Sequence, residues 1–300
     1  VTYPELAEDL GFLGALKLDF IGTTSSGPQD IQTVASGDSD VGVAFNGAII
    51  KLIAAHAPIK AVVGAYGTDE HTYTSFLVTE DSPIHGARDL IGKRVAMNTL
   101  GAHSEIILRE YLGRNGLSDE EARQVTLVAL PMINIEQALR ARQLEGAALM
   151  GAFRDKALVR GGLRQVFTDY ELFGAFTAGS YVFRQKFIDQ HPQTVRTFVN
   201  GVAQAIEWTR TTPRETVLER YSAIIAKRHR GGETDEVMRL WKSTAIAGRG
   251  GLNSDRDWQL WIDWLEKTGE LKHGQFKPAQ AYTNEFNPFY SPAAVTATAK

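Results

Sequence analysis

The sequence predicts an α/β protein built as two lobes, and three observations carry that expectation. At 300 residues the chain is about twice a typical single-domain length. Its first 180 residues alternate short β-like runs with helical stretches, the pattern of parallel sheets covered by helices on both faces. No long low-complexity linker interrupts it, so strands and not a floppy connector are expected to join the lobes.

The elements follow in order. Residues 17–21, Lys-Leu-Asp-Phe-Ile, read as the first strand, with a polar turn after them. Pro28 opens a helix carrying Ile31, Val34 and Ala35 that stops at Gly37; proline suits a first helical turn and glycine an end. Residues 40–45 form a second strand, and Asn46-Gly47 turns into a helix with Ile49, Ile50, Leu52 and Ile53. Residues 59–66 and 74–79 are further strands. After Pro83 the pattern repeats, with strands at 93–97, 124–130 and 147–150 and helices around Ile107 to Leu112 and at 135–144. From Ile188 helices dominate, at 188–211, 214–228, 234–244 and 255–268. Trp258, Trp261, Ile262 and Leu265 fit one buried helix face. Residues 293–300 read as a loose tail.

Composition narrows the function. A chain that is 43% hydrophobic and 22% charged has a real core and is not disordered. The net charge of -3, from 32 Lys+Arg against 35 Asp+Glu, offers no basic excess for nucleic acid. No apolar run approaches the roughly 18 residues that span a bilayer. Cysteine is absent, which excludes disulfides, thiolate metal sites and a cysteine nucleophile. Val1-Thr2-Tyr3-Pro4-Glu5 shows neither the basic nor the apolar region of a secretion signal, so none is expected within these residues.

Four strand-to-helix turns share one chemistry: Thr23-Thr24-Ser25-Ser26-Gly27, Asn46-Gly47, Asn98-Thr99-Leu100-Gly101-Ala102-His103 and Gly151-Ala152-Phe153-Arg154. Each places glycine and small residues at a strand's carboxyl end, where ligands of open α/β sheets bind. A helix start offers peptide N–H groups and a positive dipole end, which suits anionic oxygens. The competing reading of each turn is a helix cap and a tight turn. Catalytic patterns are absent: the seven histidines lack metal-ligand spacing, and there is neither a G-x-S-x-G elbow nor a phosphate-cradling G-x-x-x-x-G-K-[ST] loop. Gly248-Arg249-Gly250-Gly251 reads as a plain loop, and Glu120-Glu121 as a solvated helix start.

Four segments together resemble the solute-binding proteins of ABC importers for nitrate, sulfonate and taurine. They are Ser26-Gly27-Pro28-Gln29 with 35–42 (ASGDSDVG), Ser82-Pro83-Ile84 with 89–96 (DLIGKRVA), Gly101-Ala102-His103-Ser104, and 187–195 (FIDQHPQTV). The resemblance runs over nearly the whole chain and implies a bilobal periplasmic-binding fold of the second type, two α/β lobes joined by two crossing strands. With crossings near 74–80 and 176–183, lobe 1 would hold 1–79 and 181–300 and lobe 2 would hold 80–180. The family also has a strand before its first helix, and here residues 3–7 already look like that helix, so the strand is expected to be missing from the chain as given.

By the same resemblance the ligand would sit between the lobes, with Tyr3, Ser25, Ser26, Gly27, Asn46, Gly47, Thr99, Gly101, Ala102 and His103 as contacts. Sulfonate-binding relatives often carry W-D-P where this chain reads Gly151-Ala152-Phe153-Arg154-Asp155. Arg154 is therefore either a bidentate partner of a carboxylate or sulfonate or a solvated helix residue. Phe45, Tyr66, Phe153 and Tyr181 are candidates for an apolar wall, the alternative being core. The expectation is a non-enzymatic, monomeric, extracytoplasmic binder of a small organic anion, periplasmic or membrane-anchored, without cofactor or metal, that delivers to an ABC permease and binds no nucleic acid. A carboxylate, an aromatic anion or a thiamine-pyrimidine precursor as ligand, an enzyme on the same scaffold, and a sensing module stay open.

Overall fold

The computed structural model describes residues 1–22, 27–228, 230 and 235–291. In chain order the elements are α1 (Tyr3–Asp9), α2 (Gly27–Ser36), β1 (Val41–Phe45), α3 (Asn46–Ala54), β2 (Ile59–Thr68), β3 (Thr74–Thr79), β4 (Arg94–Met97), α4 (His103–Arg114), α5 (Asp119–Arg123), β5 (Thr126–Ala129), α6 (Met132–Arg140), β6 (Gly146–Met150), α7 (Gly151–Val159), β7 (Leu163–Thr168), α8 (Asp169–Phe173) and β8 (Phe176–Arg184). Then come α9 (Gln185–Gln190), α10 (Pro192–Thr211), α11 (Arg214–Arg228), α12 (Asp255–Lys267) and α13 (Pro278–Ala281), with 3-10 turns at Asp235–Leu240 and Arg249–Gly251 between the last long helices.

The chain divides into two compact units. Unit 1 comprises Val1–Tyr66, Thr177–Arg230 and Ile246–Lys300; unit 2 comprises Gly67–Phe176 and Gly231–Ala245. Two of the four changeovers fall inside strands, at Tyr66–Gly67 within β2 and at Phe176–Thr177 within β8. Among the described residues, 235–245 cluster with unit 2.

In unit 1 the described strands form a sheet of order β1-β8-β2. β1 and β8 are antiparallel, in register from Val41 opposite Phe183 to Phe45 opposite Gly179. The core joins Val62, Val63, Tyr181, Phe183, Phe198, Val202 and Ile206, which brings α10 onto the sheet. Ser254 caps α12 by accepting the Asp257 N–H, and the apolar stripe of that helix, Trp258, Trp261, Ile262 and Leu265, is fully buried, as its spacing predicts.

Unit 2 has the order β5-β4-β6-β3-β7. β4 runs parallel to β5 and β6, whereas β3 is antiparallel to β6 and β7. The unit 2 sheet is thus mixed and not wholly parallel, because β3 runs against β6 and β7, and in unit 1 β8 runs against β1. Leu77, Ala96, Ile135, Leu139, Leu149 and Ala157 share one core, which seats α6 and α7 on the sheet.

Three expectations change. Residues 17–21 form no strand: among the described residues they have no ladder partner, and Phe20 and Ile21 are exposed. Leu16 and Leu18 still rest on the unit 1 core, lining with Val41, Phe183, Phe187 and Phe198 a cavity of about 260 Å³. The 188–211 helix is two helices, since Pro192 has no N–H to continue α9 and instead starts α10. The helix expected at 234–244 is a short 3-10 turn. The turn at 23–26 and the tail at 292–300 lie outside the described residues.

Asp257 sits buried in the first turn of α12, where desolvation raises its carboxyl above the ordinary range despite hydrogen bonds from Ser254 and Thr177. A raised acid contributes stability below its unfolded pKa and loses it as pH climbs through the folded value. We therefore expect Asp257→Asn to melt higher than wild type at pH 8, with the difference shrinking at pH 4, as read by calorimetric scans across that range.

Candidate functional site

Where a strand runs into a helix, the first N–H groups of the helix need an acceptor. Thr2, Ser118, Thr168 and Ser254 supply one from a side chain to α1, α5, α8 and α12. No side chain caps α3 or α7, which follow β1 and β6 directly, or α4 and α6, which follow β4 and β5 after short turns; α9 after β8 and α10 after α9 share the trait. In unit 2, α4, α6 and α7 therefore begin uncapped at the carboxyl ends of three adjacent parallel strands. This is the place in an α/β sheet where anionic groups are received.

The α4 start carries the most chemistry. Gly101 holds φ +68, a backbone that suits glycine, and its N–H donates to Glu105 Oε2 at 2.8 Å. Ala102 occupies the cap position and has no side-chain oxygen to offer. His103 opens the helix with its side chain 12% exposed. Ser104 follows, 1% exposed, and its hydroxyl is buried without a hydrogen-bond partner among the described residues. Thr99 stands half-buried just ahead of the turn. The structure thus brings Thr99, Gly101, Ala102 and His103 to one helix start and adds Ser104, the last residue of the 101–104 motif.

In unit 1 the side chains behave differently. Asn46 is fully buried; its Nδ2 donates to Thr177 O at 3.1 Å and its Oδ1 accepts from Ser180 Oγ at 2.9 Å. Ser180 Oγ also lies 3.1 Å from Asn253 Oδ1, which accepts from Trp258 Nε1 at 3.0 Å. Asn46 therefore ties α3 to β8, and its amide is committed within the protein. The Phe45 ring lies so close over Gly47 that a Cβ there would come within 2.5 Å of it. What this turn has left to offer is backbone at the start of α3. Tyr3 begins α1 and packs against the unit 1 core, and its N–H is bonded to the Tyr181 hydroxyl. Gly27 is the first residue of α2, while Ser25 and Ser26 lie outside the described residues.

Arg154 is neither solvated nor open. It is 1% exposed, its Nε donates to Asp155 Oδ1 at 2.9 Å, Nη1 to Tyr73 O at 3.0 Å and Nη2 to His71 O at 2.9 Å. The guanidinium lies 3.8 Å from the centre of the Tyr73 ring, and Lys242 Nζ reaches the same Asp155 oxygen at 3.0 Å. This ionic cluster fastens the 69–73 turn and residue 242 to α7. Of the apolar-wall candidates, Phe45 and Tyr181 are core, Phe45 meeting Trp261 edge-on at 4.8 Å, whereas Tyr66 and Phe153 are 40% and 37% exposed. Among the described residues no cluster of histidine and carboxylate side chains is arranged to hold a metal, and no helix is long and apolar enough to cross a membrane.

A family model described as NMT1/THI5 like matches residues 6–216. No curated protein matches the sequence. Among solved structures, the periplasmic aliphatic sulphonate binding protein SsuA from Escherichia coli superposes with a TM-score of 0.71 at 19% identity, covering 94% of this chain and 88% of that one. The periplasmic nitrate-binding protein NrtA from Synechocystis PCC 6803 gives 0.66 at 13% identity, over 91% and 80%. The desulfurization enzyme DSZB gives 0.63 at 17% identity, over 95% and 94%. At these identities the likeness establishes the fold, that of periplasmic binding proteins.

Two substitutions separate structural from binding roles here. Asn46→Ala strands buried partners on β8 and is expected to cost about 1–3 kcal/mol; a melting scan should show the loss without any solute present. Arg154→Ala leaves Asp155 buried beside Lys242 alone, at a cost of about 3–5 kcal/mol as for other broken buried pairs. Urea titration followed by fluorescence should show that loss, and an unchanged midpoint would return Arg154 to the candidate ligand contacts.

Proposed function

The chain belongs to the NMT1/THI5-like family, and from that premise we propose that it is a solute-binding protein of an ABC importer, taking a small organic anion of the aliphatic sulfonate or taurine kind. The observation that carries this reading is the α4 start: an uncapped helix after a strand's carboxyl end, with a buried serine hydroxyl that has no partner among the described residues and a histidine beside it. A hydroxyl and peptide N–H groups converging on a helix start are suited to the oxygens of a sulfonate or carboxylate. The uncapped starts of α3, α6 and α7 offer the same kind of donor.

In this reading the ligand contacts are Thr99, Gly101, Ala102, His103 and Ser104, with backbone at Gly27, Asn46 and Gly47 and with Tyr3, Ser25 and Ser26 as further candidates. Arg154 acts by holding the 69–73 turn. The protein works as an extracytoplasmic monomer, periplasmic or membrane-anchored, delivers its solute to a membrane permease and needs no catalytic group. The fold's presence in a desulfurization enzyme favours a second reading, an enzyme on the same scaffold. The absence of cysteine removes one nucleophile from that alternative.

A thermal-shift screen of methanesulfonate, taurine, nitrate, small carboxylates, aryl sulfonates and thiamine-pyrimidine precursors tests the reading, with product analysis of each stabilising compound to detect turnover. Ser104→Ala gives the sharper check. Removing an unpartnered buried hydroxyl should leave melting of the free protein unchanged or raised, while affinity for the stabilising anion falls about tenfold, the loss of one charge-assisted hydrogen bond. Lower stability with unchanged affinity would place Ser104 outside the site.

A further inference from the structure

Exposed apolar side chains are ordinary when scattered singly, and several at one end of a sheet mark a place where something binds. Among the described residues of unit 2, four large apolar side chains are exposed: Leu100, Ile133, Phe153 and Val159. Val159 ends α7. The other three stand at the starts of α4, α6 and α7. Leu100, 48% exposed, lies in the turn before α4; Ile133, 75% exposed, is second in α6; Phe153 is third in α7. These helices follow β4, β5 and β6, neighbours in the order β5-β4-β6. Met97, the last residue of β4, stands opposite Ala129, the last of β5, and Ala96 stands opposite Ala147 of β6. Adjacent strands lie about 4.8 Å apart, so the three turns leave the sheet side by side. Met150, the last residue of β6, is half-buried at the same end, and an unbranched thioether adapts to the shape laid on it.

The same turns carry no acid: none of residues 98–104, 130–134 and 150–154 is an aspartate or glutamate. The acids that flank them are committed. Glu105 takes the Gly101 N–H on one oxygen and the Arg109 guanidinium on the other. Glu136 is held by Arg140 and Arg160, and Asp155 by Arg154 and Lys242. Asp169, whose carboxylate lies 3.3 Å from His103 Nε2, is fully buried and accepts from Thr74 and Thr68. An ammonium group brought to these turns would meet apolar side chains and lose its hydration without a counter-charge. We infer that the solute of the α4 site is an anion with an uncharged apolar body, an alkyl or aryl sulfonate or carboxylate larger than methanesulfonate. Its head meets the uncapped α4 start, where the buried Ser104 hydroxyl has no partner among the described residues, and its body covers Leu100, Ile133 and Phe153. The assignment rests on the binding reading above and narrows it. Taurine would bring an ammonium group to apolar side chains, and nitrate has no body to lay on them.

The experiment is calorimetric titration of the full chain with methane-, propane- and hexanesulfonate, with acetate, butyrate and heptanoate, and with taurine and nitrate. In the head series that binds, Kd should fall about fourfold for each methylene laid on the apolar side chains. Propanesulfonate matches taurine in size and carries a methyl where taurine carries its ammonium; it should bind about tenfold more tightly or better. Ile133→Ser and Phe153→Ser should weaken the longest member of the series more than the shortest. Val159→Ser, at the far end of α7, should leave that ratio as in wild type. All three positions are exposed, so melting scans should show the variants as stable as wild type. A Kd that stays flat with chain length, or taurine or nitrate binding more tightly than propanesulfonate, overturns the apolar body and leaves the binding reading standing. Equal weakening of long and short members in Ile133→Ser and Phe153→Ser, or a changed ratio in Val159→Ser, also counts against it. Binding of none of these anions overturns both.

Discussion

Peptide N–H groups at the start of a helix demand an acceptor, and the helix starts of this protein meet that demand in different ways. Where Thr2, Ser118, Thr168 and Ser254 stand ahead of the helix, the acceptor comes from the chain and the helix start is closed. Where Phe45, Ala102, Pro131 and Met150 stand there, the side chain has nothing to give. The second group lies at the carboxyl ends of sheet strands, so the fold gathers donors where the sheets end. The functional reading follows from that placement more than from any single side chain.

The buried polar residues around these starts serve positioning. Asn46 binds α3 to β8 through Thr177 and Ser180, and Arg154 binds α7 to the 69–73 turn. Each satisfies groups that would otherwise be left orphaned in the interior, which makes removal more costly than the net worth of the bonds suggests. The helix starts are thereby held in place by side chains that themselves face inward.

Much of the fold is legible in the sequence because its signals are local. The 3.6-residue stripe of Trp258, Trp261, Ile262 and Leu265, and the alternation from residue 40 to residue 150, need no knowledge of distant partners. Residues 17–21 show the limit: an alternating apolar run becomes a strand only when another strand pairs with it. The site is less legible for the same reason. Asn46 has the composition of an exposed turn residue, yet its partners lie 131 and 134 residues away. Arg154 finds acceptors 81 and 83 residues away, so a turn that reads as anion-seeking is already satisfied from within. The Thr168-x-x-Glu171 capping box, by contrast, is a local signal that marks the helix bearing Asp169.

The placement of residues 235–245 in unit 2 has a consequence for biogenesis. Ser243 bonds Asp69 and lies within hydrogen-bond distance of the Thr72 hydroxyl, and Lys242 neutralises Asp155, so a stretch encoded late clasps a body whose other residues end at Phe176. On the ribosome, the earlier portion emerges well before its clasp is translated. Until then the Asp155 carboxylate and the 69–72 loop lack their distal partners, so this part of the body is completed only when the later stretch has been made.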